Sequence, residues 1–470
     1  MFKAIFTNSF GILFSRILGF FRDLLTASIL GANIYSDIFF IAFKLPNLFR
    51  RIFAEGAFTQ VFMPAFARSK HKGVFSANVF LIFISIVLLI TLIVNLFPSL
   101  WAQAIAVGFD EKSIEIAAPF VAINFWYLPL IFTITFLSAI LQYKHHFATS
   151  AFSTALLNLS LILALYFSQD KSQIEIVYYL SWGVVIGGIL QLLVHLIAIQ
   201  RLGLLKLIVG GFKYLHKKSK FIKSDTTKFR NQFFPAMWGN STAQVSAFLD
   251  TFLASFLLTG SISYLYYANR IFQLPLALFA IATSIALFPR IARYIKNKDE
   301  KKALEFLQHA FWFLAFLLTA SAIGGLVLSR EITSLLFQRG AFSADDTQNT
   351  TLVLQMYMIG LLPFGLQKLF VLWLYAKEMQ MKAAKIATYS LLTYIIFALS
   401  LISPMGVSGL ALASTVGGFV SFTLTIRVFG VKNFFNIIHS KNTIYLFVSA
   451  ILFTILLLIF KLIFFTLRTV

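Results

Sequence analysis

The sequence predicts an all-α polytopic membrane protein of about 13 transmembrane helices: two six-helix lobes related by a pseudo-two-fold axis along the membrane normal, plus a C-terminal helix or helices. Three observations carry this. Hydrophobic residues fill 59% of the 470 positions and charged residues only 12%, against about half and a quarter in a soluble domain. Apolar windows of roughly 20 residues, the length needed to span a bilayer, recur near 8–30, 33–53, 76–97, 116–141, 149–168, 176–200, 232–258, 263–288, 304–328, 350–376, 384–402, 407–428 and 442–466, thirteen in all. The first six and the next six of these read as two copies of one unit.

The copies are matched by polar and proline positions, which are not apolar filler. Asp23–Leu30 aligns with Asp250–Leu257, Gly31 with Gly260, and Phe43–Pro46 with Phe272–Pro275. Phe62–Arg68 aligns with Leu287–Arg293, and the offset stays between 225 and 229 residues. Six helices is an even number, so the halves share one orientation in the membrane. The domains expected are an N-lobe over 1–200, a linker over 201–230, a C-lobe over 231–430 and an added segment over 431–470. Prolines within the second and eighth helices free backbone carbonyls and permit bending.

The net charge of +22 is a topology signal. With the N-terminus cytoplasmic, 28 of the 39 Lys and Arg fall in cytoplasmic segments and five on the opposite side, the asymmetry of the positive-inside rule. Nucleic acid is a poor explanation of charge so distributed. Nine of these cations lie in 201–230, interleaved with Leu204, Leu205, Leu207, Ile208, Phe212, Tyr214 and Leu215; the pattern predicts an amphipathic helix on the cytoplasmic leaflet. Cys is absent, which removes disulfide and thiolate chemistry. The charges inside the first apolar stretch argue against a cleaved signal peptide.

No enzymatic constellation is present. The seven His lack metal-ligand spacing with acidic partners, and no Walker motif or other cofactor signature appears. The informative residues are charges within spans, each costing roughly 2.5–3.5 kcal/mol at mid-bilayer on insertion scales. Arg16, Gly19, Arg22 and Asp23 fall within about 120° of helical arc. Asp37, Lys44, Arg50, Arg51 and Glu55 follow in and after the second helix, and Asp250, Arg270 and Lys368 in the second half. Lys461 reads as a snorkelling side chain at the last helix end. Several separated guanidiniums favour a phosphate ligand, because Arg presents a planar fork to phosphate oxygens and stays charged. A cation or drug exporter would want carboxylates and aromatics instead.

The stretch from Ser15 to Arg68 resembles the MurJ (MviN) lipid II flippases of the multidrug/oligosaccharidyl-lipid/polysaccharide exporter superfamily. The residues concerned are Arg16–Gly19, Arg22-Asp23, Asp37–Phe40, Phe43–Arg51 and the run Phe53-Ala-Glu-Gly-Ala-Phe58. Further matches are Tyr266–Arg270, Leu274-Pro275, Phe288-Pro289 and Phe337–Phe342.

The resemblance implies outward flipping of lipid II, the peptidoglycan precursor, across a bacterial plasma membrane. It implies lipid II and membrane lipids as partners, no nucleic acid, contact with the cell-wall synthesis machinery, and function as a monomer. By the same resemblance Arg16, Arg22, Arg50 and Arg270 correspond to cavity arginines and Ser263 to a lining position. Asp23, Asp37 and Glu55 correspond to acidic positions near the cavity or its gate. Asp23 is expected beside the substrate, and Asp37, Lys44, Glu55 and Asp250 at a gate or coupling site. Two departures stand out. Relatives have two helices after the twelfth where this chain has one long segment. Where some members hold sodium with an Asp in helix 7 and Asn and Asp in helix 11, this chain has Asp250 but Tyr394 and Ala398. A flippase for another polyprenyl-pyrophosphate glycan, a drug or cation antiporter, and a non-transporting scaffold are the alternatives.

Overall fold

The computed structural model describes residues 2–53 and 57–466. All regular structure among them is helical, as a bilayer requires of an open chain: each backbone N–H and C=O must be satisfied within its own segment. The chain divides into two compact units, Met1–Ile262 and Ser263–Val470.

The first unit holds α1 (Phe2–Leu30), α2 (Ile34–Phe53), α3 (Ala57–Arg68), α4 (Lys72–Leu96) and α5 (Pro98–Ile105). It continues with α6 (Glu111–Phe125), α7 (Tyr127–Tyr143), α8 (Ala148–Ser168), α9 (Gln173–Arg201) and α10 (Leu205–Ala254). α1 lies along α8, α8 along α9, and α10 along α4. The core here is aromatic. Phe58, Phe62, Phe75 and Phe83 present ring edges to Phe229 at centroid distances of 5.8–6.4 Å, and Phe229 and Phe233 are each 2% exposed. These contacts fix α10 to α3 and α4.

The linker expected over 201–230 is helical, but it is not separate from the span after it: α10 runs through it and on to Ala254. Its face bearing Gly211 meets α4 at Gly73, and a Cβ on Gly211 would stand 2.1 Å from the Gly73 carbonyl oxygen. Only two glycines let the backbones cross this closely. α10 therefore packs with the first unit, although the internal repeat places its second half at the start of the second copy.

The second unit holds most of α11 (Ser261–Pro275), a π-helical stretch (Leu276–Ile281), α12 (Ala282–Lys296), α13 (Glu300–Val327) and α14 (Ser329–Phe337). α15 (Ala344–Ile359), α16 (Leu361–Ala376), α17 (Gln380–Phe429), α18 (Val431–Ile438) and α19 (Lys441–Lys461) complete it, with a π turn over Leu462–Thr466. α17 is two spans joined at Gly406, whose φ of 57° and ψ of −134° are non-helical. α19 packs against α13 and has no buried residue. An apolar groove of about 500 Å³ lies between them, walled by Phe316, Ile323, Phe453 and Leu456 among others.

Each of the thirteen apolar windows is helical, three of them across a break: 116–141 covers α6 and α7, 263–288 covers α11 to α12, and 350–376 covers α15 and α16. Among the described residues, eight helical spans are long and apolar enough to cross a membrane, two of them made of consecutive helices (α6 with α7, and α11 through α12), and α15 with α16, bent by 42°, makes a ninth. The remaining windows are the second half of α17 and the three charge-bearing segments in α1, α2 and α10, whose polar content hides them from a purely apolar criterion. The repeat has local counterparts: Gly31 and Gly260 take positive φ, 72° and 92°, and Pro46 and Pro64 lie inside α2 and α3 as Pro275 and Pro289 do in α11 and α12.

Candidate functional site: intramembrane charges and their partners

The face of α1 that meets α8 carries Gly11, Ser15, Gly19 and Arg22, spaced by four, four and three residues as one helical stripe requires. Small residues let α8 approach, and Asn158 of α8 enters at Gly19. Arg22 and Asp23 are 7% and 2% exposed. The Arg22 Nε and Nη2 donate to Asp23 Oδ1 at 3.0 and 2.5 Å, and Nη1 donates to Asn158 Oδ1 at 3.0 Å. Asn158 Nδ2 in turn donates to the Ser15 carbonyl at 3.0 Å. A buried charge is tolerable when it is paired and hydrogen-bonded; both conditions hold here. Arg16, on the same predicted face, is exposed instead. The structure thus joins Arg22 and Asp23 and leaves Arg16 apart from them.

On α2, the buried Asp37 accepts the Gly260 backbone N–H on Oδ2 at 2.7 Å. It thereby holds the turn whose positive φ needs glycine. One side of the same helix further along meets α10. Lys44 Nζ donates to Thr251 Oγ1, and the neighbouring charges acting on Lys44 are Asp250 and Arg51. Arg51 Nη1 donates to Gln244 Oε1 at 3.2 Å. Lys44 and Asp250 are therefore electrostatic neighbours. Arg50 is half-buried at the end of α2. Glu55 lies outside the described residues.

In the second unit, Ser263 is fully buried. Arg270 Nη2 donates to the Tyr266 hydroxyl at 2.7 Å, and its guanidinium stands 4.7 Å from the centroid of that ring, so one tyrosine orients the cation through both its hydroxyl and its π face. Tyr264 donates to Asp346 Oδ1 at 2.9 Å, tying α11 to the capped start of α15. Lys461 departs from the sequence expectation. It does not simply snorkel: its Nζ lies 3.0 Å from Glu331 Oε1 and donates to the Val327 carbonyl at 2.9 Å, clasping α19 to the corner between α13 and α14.

Outside the spans, the Asp110 carboxyl is held below its ordinary range by hydrogen bonds from Ser113, and that of Asp299 by hydrogen bonds from Lys302. Both are helix N-caps, and their shifts report capping. Among the described residues no three His, Asp or Glu gather at metal-binding distance.

Asn158, Thr251, Gln244 and Tyr266 are partners that the sequence does not single out. A signal exists for Asn158, an amide in mid-span, where a polar group needs a partner. Tyr266 stands in the sequence only as part of a motif, four residues before Arg270 and hence on its face.

These helices build a fold shared with solved polytopic transporters. An outward-facing MATE multidrug resistance transporter of the MOP superfamily superposes with a TM-score of 0.60 at 12% identity, covering 92% of this chain and 95% of that one. That likeness concerns the fold alone. A structure of the lipid II flippase MurJ in an inward closed conformation gives a TM-score of 0.79 at 26% identity, covering 98% of this chain and 99% of the other.

The sequence profile of the family described as lipid II flippase MurJ matches residues 26–469. The probable lipid II flippase MurJ of Helicobacter pylori (strain ATCC 700392 / 26695) is 53% identical over 444 residues, 93% of this chain and 96% of that protein. Its counterpart in Aquifex aeolicus is 35% identical over 382 residues, 80% of this chain and 73% of that one. The chain belongs to the MurJ lipid II flippase family.

Proposed function

We propose that this protein flips lipid II from the inner to the outer leaflet of a bacterial plasma membrane, by alternating access through a cationic central cavity. The observation that carries the reading is two guanidinium groups within the spans of a MurJ-family chain, each oriented by a neighbour. Arg22 is set by Asp23 and Asn158, and Arg270 by Tyr266. Oriented forks suit a pyrophosphate.

In this proposal Arg16, Arg22, Arg50 and Arg270 engage the head group, with Asp23 limiting unbalanced charge and Ser263 lining the path. Asp37, Lys44, Glu55 and Asp250 serve the gates or coupling. Alternating access is rocking of helices 1–6 against 7–12, with Pro46 and Pro275 supplying bends. The apolar groove along α19 offers a surface for the polyprenyl tail. The N-terminus is cytoplasmic, by the 28-to-five distribution of cations, and the monomer is the working unit beside the cell-wall machinery.

The MATE-like fold favours a second reading, drug or cation export, against which the several guanidinium groups carried within the spans argue. Depleting the protein in its host and following lipid II by leaflet tests the proposal: outer-leaflet lipid II should fall. An unchanged outer-leaflet pool, in cells with no compensating flippase, would refute it.

A further inference from the structure

We propose that Asn158 is a positioning residue for lipid II recognition: it sets the direction in which Arg22 presents its guanidinium to the pyrophosphate. The inference rests on the reading of Arg22 as a head-group ligand.

The amide orientation is fixed by chemistry. Arg22 has donors only, so the atom facing its Nη1 at 3.0 Å must be the amide oxygen. The amide nitrogen then faces the Ser15 carbonyl, a pure acceptor, at 3.0 Å. Both functions of one side chain are thus spent on α1, one on its backbone and one on its charge. Position 19 makes this possible. A Cβ there would stand 3.3 Å from Asn158 Nδ2, so any side chain would press on the amide; Gly leaves the space open.

Asp23 neutralises Arg22 but shares its backbone and moves with it. Asn158 belongs to α8, and it is 8% exposed. It therefore references the guanidinium to a second helix. Without it the arginine keeps its charge and its ion pair, and loses the contact that fixes its direction relative to α8. A planar fork binds bidentately only when aimed, so the expected cost falls on ligand affinity.

The test uses the full-length protein in detergent micelles, with binding of lipid II measured directly and the unfolding midpoint recorded for every variant. Arg22→Ala should weaken binding tenfold or more. Asn158→Ala should weaken it several-fold to tenfold, and Asn158→Asp by more, because its carboxylate opposes the Ser15 carbonyl and adds a second anion to Arg22. The deciding readout is coupling: Asn158→Ala should cause no further loss in an Arg22→Ala background, which a general packing defect would not reproduce. Wild-type binding by Asn158→Ala and Asn158→Asp, or losses that multiply in the double variant, would overturn the inference while leaving Arg22 as a ligand. Should Asn158→Ala not fold, Gly19→Val displaces the same amide without removing it, and an undiminished affinity there would count against the proposal equally. Wild-type binding by Arg22→Ala would instead sink the head-group reading itself.

Discussion

The charges in the spans differ in how they are held, and this separates their expected behaviour. Arg22 is buried and held by Asp23 and Asn158, Tyr266 braces Arg270, and Arg16 is exposed. Replacement of Arg16, Arg22 or Arg270 by Ala is expected to abolish complementation of a flippase-depleted host at normal expression. Lys should rescue poorly at each, since it supplies charge without the fork. Tyr266→Phe gives a graded version of the test. It removes a hydrogen bond to a charged group, worth roughly 1.5–3 kcal/mol, and keeps the ring. Lipid II affinity should therefore drop by about tenfold or more, without the complete loss expected of Arg270→Ala. Equal affinity of Tyr266→Phe and wild type would show that the hydroxyl does not aim Arg270. Full complementation by all three Ala variants would remove the arginines from the site.

At the scale of elements, a close backbone approach given by glycine is where α10 crosses α4, and two adjacent glycines provide a controlled test of it. A Cβ on Gly211 would meet the Gly73 carbonyl, whereas a Cβ on Gly210 meets nothing within 4 Å. Gly210→Ala should stabilise by up to about 1 kcal/mol through helix propensity. Gly211→Ala should destabilise by about 1–3 kcal/mol, because the helices must part. Thermal unfolding in detergent checks both; similar midpoints for the two variants would contradict the crossing. Much of this architecture was legible in the sequence, because span length and apolar content are forced by the bilayer. The charge-bearing α1 and α2 were legible too, once intramembrane Arg22 and Asp37 were read as function and not as evidence against a span. The continuity of α10 was not legible. The basic stretch and the adjoining span differ in composition, yet nothing between them stops a helix: Pro235 costs a hydrogen bond without ending the segment. The site was half legible for a similar reason. Composition reveals Arg22 and Asp23, but Asn158 becomes a partner only when α8 is laid against Gly19, a tertiary fact. Lys461 lay close enough to a helix end for snorkelling to account for it, and only folding brings Glu331 to it.

At the scale of the whole molecule the question is what drives transport. The chain carries no nucleotide-binding motif, and helix 384–402 offers Tyr394 and Ala398 where some relatives ligate sodium. Proton coupling would run through Asp23, Asp37 or Asp250. Of these, Asp23 accepts from Arg22 and Asp37 from the Gly260 N–H; coupling through one of the three is the alternative reading. We propose the membrane potential as the driving force, because it requires no ion site. The head group bears negative charge on its pyrophosphate and peptide carboxylates. Moving one negative charge from a negative interior to the outside releases about 2.3 kcal/mol per 100 mV, so export is downhill. The return step has the same sign, since an emptied cationic face moving inward carries positive charge toward the negative side. Each state is favoured only by its differential affinity for the ligand, so the potential must supply the direction. In proteoliposomes with an inside-negative potential, lipid II flipping should be brisk and unaffected by replacing sodium with choline. It should fall several-fold when valinomycin and symmetrical high potassium clamp the potential at zero. Transport that needs sodium and persists at zero potential would place the energy source at an ion site and overturn this account.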